Sequence, residues 1–158
     1  YKTAVLVAAA MKMGAIIANT SADNANLIYD FGLHLGLAFQ LQDDYLDAFG
    51  DPETFGKQVG GDIIENKKTY LYLKALEFST PEKASELEKL FGMQLEDNSE
   101  KIETVKTVFN ESGASKATRE AIEWYTFKAF ETLEKLTISV EKKNILKVFG
   151  ENLMGRKA

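Results

Sequence analysis

The sequence predicts an all-α protein, a helical bundle, on three observations. Apolar residues recur at spacings of three and four along most of the chain, and strand-like alternation is scarce. Only 2 prolines, Pro52 and Pro81, punctuate the chain. Hydrophobic residues make up 45% of it, enough for helices to bury a shared core.

Taken in order, the first helix covers Ala4 to Ala18, rich in Ala, Met and Leu, and breaks at Asn19-Thr20-Ser21. The second runs from Ala22 to Phe49, with Ser21 or Asp23 near its cap, and stops at Gly50-Asp51-Pro52. A glycine-rich loop, DPETFGKQVGGD, follows, and then a third helix over Ile64 to Phe78 that begins near Lys67 and Lys68. Ser79-Thr80-Pro81 starts a helix reaching Phe91, with proline in the first turn. Asp97-Asn98-Ser99 caps another, ending at Ser112-Gly113. A long amphipathic helix spans Ala114 to Leu136, and Ser139 to Leu153 forms the last, before a basic tail with Arg156 and Lys157. With no repeat, linker or low-complexity stretch, residues 1–158 are read as a single all-α domain fragment.

Composition excludes several classes. Lys+Arg is 19 and Asp+Glu is 24, a net charge of −5, which argues against a nucleic-acid binder and its basic face. Without cysteine there is no disulfide framework, thiolate site or Cys nucleophile, and a cytoplasmic setting fits. A single histidine, His34, weighs against a zinc site or a Ser-His-Asp triad and reads as an ordinary helix residue. The longest apolar run, Ala4 to Met11, is 8 residues, far short of the roughly 18 that a membrane span needs. The opening Tyr-Lys-Thr-Ala, already helical in character, suggests a cut and not a natural start.

The chemistry concentrates in GLAFQLQDDYLDAFGD, Gly36 to Asp51. With Gln40 at the zero of a helical wheel, Asp43, Asp44 and Asp47 fall at about 300°, 40° and 340°, one arc of roughly 100°. Gly36, Leu33 and Tyr29 continue that face upward, so it grades from apolar through an amide to three carboxylates. Carboxylates in the last two turns oppose the helix dipole at ~0.3–1 kcal/mol each, and like charges at i, i+4 add ~0.2–0.5 kcal/mol. A solvated acidic helix end is the bland alternative. A bound cation resolves the conflict better. Three oxygen ligands without His or Cys suit a hard ion, Mg²⁺ before Ca²⁺, and no EF-hand loop is present. Because Mg²⁺ shares phosphate oxygens, a polyphosphate-bearing partner is expected.

Below the carboxylates lie glycines that permit close approach to an anion, and the lysines Lys57, Lys67 and Lys68. Any single lysine reads equally as a surface residue, and GKQVGG is not a Walker A loop. Trp124, Tyr125, Phe127 and Phe130 lie at helical spacings and are read as core, not as a binding cage.

FQLQDDYLD, then GKQVGGD, then DIIENKKTY, together resemble the second half of the trans-type polyprenyl diphosphate synthases, the farnesyl and geranylgeranyl diphosphate synthase family. The match is strong over Tyr1 to Tyr72 and by pattern beyond. It implies a bundle of the isoprenoid synthase type, of which this chain would be the incomplete, C-terminal portion. DDYLD is similar to the second aspartate-rich motif, so Asp43, Asp44 and Asp47 would bind the Mg²⁺ that holds an allylic diphosphate. Lys2 and Thr3 match the family's Lys-Thr pair at that diphosphate. Phe39 and Gln40 match its Phe-Gln pair, with Gln40 reaching the diphosphate and Phe39 bordering the apolar part of the site. Lys57 and Lys67 match its two lysines, and Arg156 and Lys157 correspond loosely to a basic tail. The reaction implied is ionisation of the allylic diphosphate, attack by isopentenyl diphosphate and loss of a proton, in a homodimeric enzyme.

No second aspartate-rich motif precedes Asp43. The chain is therefore expected to bind Mg²⁺-diphosphate weakly and not to elongate prenyl chains by itself. Apolar helix faces, including that of Leu33, Gly36 and Leu37, are expected to lack partners and to drive association. Two other readings stay open: a non-catalytic diphosphate-binding helical subunit, and a class I terpene cyclase, whose second metal motif is usually of Asn/Asp-Ser/Thr-Glu type.

Overall fold

The computed structural model describes residues 2–51 and 59–155; among them there are eight helices and no strand. They are α1 (Lys2–Ile17), α2 (Ala22–Phe49), α3 (Gly61–Ile64), α4 (Tyr70–Phe78), α5 (Pro81–Leu90), α6 (Ser99–Glu111), α7 (Ala114–Glu134) and α8 (Val140–Met154). No helix among the described residues is long and apolar enough to cross a membrane.

The ends of these helices follow local chemistry. Asn19 stops α1 by turning left-handed at φ 53°, while the Thr20 N–H donates to the Ala15 carbonyl at 3.2 Å. The Ser21 hydroxyl then accepts the Asn24 N–H at 3.3 Å and starts α2. Thr80 caps α5, with Pro81 in its first turn, and Ser139 caps α8. The helix expected over Ile64 to Phe78 is instead two helices. Asn66 adopts φ 57°, which ends helical hydrogen bonding after α3. Thr69 restarts it by accepting the Tyr72 N–H. Lys67 and Lys68 thus precede α4 and do not begin it.

The described residues form two compact units, residues 2–40 with 121–155, and Leu41–Glu120. In the first, Phe31 and Leu35 of α2 pack with Ala129 and Leu133 of α7 and with Leu136. Each buried Leu or Phe stabilises by roughly 1.5–3 kcal/mol. Here α1 meets α2 through small residues. A Cβ on Gly36 would lie 2.7 Å from the Ala4 Cα, and one on Gly32 would lie 3.0 Å from the Ala8 Cα. Asn24 ties the same unit together at its base, its Oδ1 accepting the Thr137 N–H at 3.0 Å and the Thr137 hydroxyl at 3.1 Å. In the second unit α3, α4 and α5 pack on α6 or on one another around Ile63, Leu71, Tyr72, Leu87, Val105 and Phe109.

Two expectations about apolar residues are corrected. Trp124 and Phe127 are 51% and 64% exposed and are not core, although Phe130 does pack on it. On α2, Ala4 covers Gly36 while Leu33 and Leu37 stay half-buried; an exposed apolar side lies on α1, where Leu6, Met13 and Ile17 fall together.

Candidate functional site

The three aspartates occupy the last two turns of α2, and all are half-buried. Asp47 is held most firmly. Its Oδ2 accepts the Asp62 N–H at 2.8 Å, and its main-chain carbonyl accepts the Gly60 N–H at 2.6 Å. The glycines make this approach feasible. Gly60 sits at φ 86°, ψ 14°, where a side chain would be strained, and a Cβ on Gly61 would stand 3.1 Å from the Asp47 Oδ1. Gly60 has no side chain with which to cap α3, and the Asp47 carboxylate reaches its first turn instead.

Lys67 completes the group. Its Nζ contacts the Asp62 Oδ1 and the Glu65 Oε2, each at 2.8 Å, and its N–H donates to the Asp62 carbonyl at 2.9 Å. Asp44, Asp47, Asp62, Lys67 and Thr69 line one small cleft in the second unit. Hydrogen bonds that the ammonium donates to Asp62 and then Glu65 raise the Lys67 pKa above its ordinary value, so it stays charged. Burial raises the Asp47 pKa; the Asp62 N–H opposes it, and the nearby Asp62 and Asp43 charges add to it.

The structure therefore brings Asp43, Asp44, Asp47 and Lys67 to one end of one unit. Lys2 and Thr3, exposed on the first turn of α1, and Phe39 and Gln40, half-buried on α2, belong to the other unit. Lys57, Arg156 and Lys157 lie outside the described residues. Asp62 and Glu65 were missed in the sequence. The available signal was their placement five and two residues before Lys67, in reach of its ammonium once the chain turns at Asn66.

Among the described residues no group of three or more His, Asp or Glu side chains stands ready to hold a metal ion. The donors nonetheless fit a hard cation. They are all oxygens, Asp44 and Asp47 share a cleft, and burial, with the nearby acidic charges, already disfavours the charged Asp47. An ion bound there would take the rest of its shell from water and phosphate, as Mg²⁺ commonly does.

A model of the polyprenyl synthetase family matches residues 1–112. The chain belongs to the polyprenyl synthetase family. Among curated relatives in that family, it is 45% identical over 91 residues to a short chain isoprenyl diphosphate synthase of Methanothermobacter thermautotrophicus, covering 58% of this chain and 28% of that one. It is 38% identical over 141 residues to the farnesyl pyrophosphate synthase of Gallus gallus, covering 86% of this chain and 35% of that one. Among solved structures, a geranylgeranyl pyrophosphate synthase superposes with a TM-score of 0.87 at 56% identity, covering 99% of this chain and 49% of its own. A polyprenyl synthase from Caulobacter crescentus, complexed with calcium and isoprenyl diphosphate, gives 0.82 at 33% identity, covering 99% and 47%. The chain thus spans about half the length of these solved family members, and less of the curated ones.

Proposed function

We propose that this chain is the C-terminal part of a prenyltransferase, in which it holds the diphosphate of an allylic substrate. In the whole protein the allylic C–O bond breaks and pyrophosphate leaves. The double bond of isopentenyl diphosphate then forms a C–C bond to the allylic cation, and a proton is lost. Asp43, Asp44 and Asp47 would hold Mg²⁺, which when bound neutralises diphosphate oxygens and so assists departure of the leaving group.

The remaining work falls to protein side chains. Lys67 would donate to the diphosphate, and its pairing with Asp62 and Glu65 keeps it cationic at neutral pH. Lys2, Thr3, Gln40 and Lys57 would add donors, and Phe39 would border the apolar prenyl chain. Asp62 would act as a positioning residue, since it contacts both Asp47 and Lys67. The observation that carries this reading is that pair of contacts, which sets an aspartate of DDYLD and the family-type lysine on one cleft. A cytoplasmic setting agrees with the cysteine-free composition. The exposed α1 face supports self-association.

The 158 residues carry one aspartate-rich motif. Alone they are expected to bind Mg²⁺-pyrophosphate weakly and not to elongate. In the complete protein, Asp43→Ala is expected to lower kcat/KM for the allylic diphosphate by about 100-fold or more. Unchanged kinetics would overturn the site assignment. Elongation by the 158 residues alone, with both substrates and Mg²⁺, would overturn the expectation that they need the rest of the domain.

A further inference from the structure

Lys101 lies on α6 and is 1% exposed; no other Asp, Glu, Lys or Arg among the described residues is buried to that degree. Its Nζ donates to the Asn66 Oδ1 at 2.6 Å and to the Met93 carbonyl at 3.2 Å. The Asn66 Nδ2 donates to the same carbonyl at 3.1 Å, and the Phe91 ring centroid stands 5.9 Å from the ammonium. No carboxylate among the described residues pairs with Lys101, and burial lowers its pKa. A buried ammonium without an acid is a poor choice for stability, and a methionine would fill similar space without a charge to desolvate.

What the ammonium holds gives it a purpose. Asn66 is the left-handed residue that ends α3 and turns the chain toward α4, and Lys67 follows it directly. Lys101 grips the Asn66 amide from one side, while the Asn66 N–H donates to the Ile63 carbonyl at 3.2 Å. The corner is therefore fixed from α6, across 35 residues of chain. The geometry points to Lys101 as a positioning residue for diphosphate binding: through Asn66 it fixes the corner from which Lys67 projects. This rests on the diphosphate-binding reading of Lys67 given above.

The test is a double-mutant cycle in the complete protein that contains these residues, read by calorimetry with Mg²⁺ and inorganic pyrophosphate, with thermal melting recorded alongside. Lys67→Ala is expected to weaken binding about tenfold, and Lys101→Met about three- to tenfold. On the Lys67→Ala background, Lys101→Met is expected to cost less than about twofold more, because its effect runs through Lys67. A purely architectural lysine would lower the melting temperature and weaken binding equally on both backgrounds, and that result overturns the proposal. Unchanged affinity in Lys101→Met overturns it too, while leaving the diphosphate reading intact. Unchanged affinity in Lys67→Ala, or no binding by the unsubstituted protein, overturns the diphosphate reading and this proposal together. Should Lys101→Met fail to fold, Asn66→Gly enters the same cycle. It tolerates the left-handed corner and removes the acceptor.

Discussion

The carboxylate of Asp47 accepts the backbone N–H of Asp62 at 2.8 Å, so one side chain of the aspartate motif also fastens the turn that carries Lys67. Asp47→Ala removes this acceptor and is expected to destabilise the chain by about 1 kcal/mol. Asp47→Asn keeps an acceptor oxygen and is expected to melt near the parent temperature, yet to bind Mg²⁺-pyrophosphate about tenfold more weakly, since a neutral amide attracts a hard cation less. Paired melting curves and metal titrations separate the two roles.

The acidity of Asp47 gives a second expectation. Burial holds its pKa above the ordinary value of about 3.9. The folded state then retains this proton where the unfolded chain has released it, so between about pH 3.9 and the raised value stability from this group falls as pH rises. The melting temperature of the parent chain, minus that of Asp47→Asn, should fall through that window and level off above it. Mg²⁺ affinity should move oppositely and improve as the proton leaves. A difference that stays flat across the window would count against a perturbed Asp47.

Gly36 is where α1 lies against α2 without room for a methyl group. Gly36→Ala would set a Cβ 2.7 Å from the Ala4 Cα, a backbone contact that cannot swing aside. Overpacking costs roughly 1–3 kcal/mol, offset by about 1 kcal/mol of helix propensity, so a net loss of up to about 2 kcal/mol is expected in denaturant unfolding.

Asn24 closes its unit by accepting from both the amide and the hydroxyl of Thr137. Asn24→Ala leaves those donors in a partly buried site and is expected to cost about 1–3 kcal/mol. Hydrogen exchange should show faster opening at the start of α8.

Leu6, Met13 and Ile17 are 70%, 58% and 82% exposed along one side of α1. Replacing all three by lysine is expected to reduce self-association in sedimentation without lowering the melting temperature, because none of them is buried in the core. An unchanged sedimentation profile would move the association surface away from α1.

Local signals were legible and distant contacts were not. α2 runs from Ala22 to Phe49 as read, because Ser21 and Gly50 mark its ends in the adjoining sequence. The break at Asn66 was unreadable, since a polar stretch such as ENKKT suits a helix and the residue that fixes the corner, Lys101, lies far along the chain. For the same reason the clustering of Asp43, Asp44 and Asp47 was visible from helical periodicity, but the capping of α3 by Asp47 was not. Trp124 and Phe127 show the limit of periodicity itself: spacing places residues on a helix face but does not say whether anything covers it.

One consequence follows from the pairing of Lys67 with both Asp62 and Glu65. Its cation is already spoken for, and the neighbouring side chains of Asp43, Asp44 and Asp47 are negative when ionised. On the proposed reading, a bare pyrophosphate would add further negative charge to that end of the unit, whereas one arriving with divalent counterions would not. The arrangement would then favour the ligand's neutralised, metal-bound form over the naked anion.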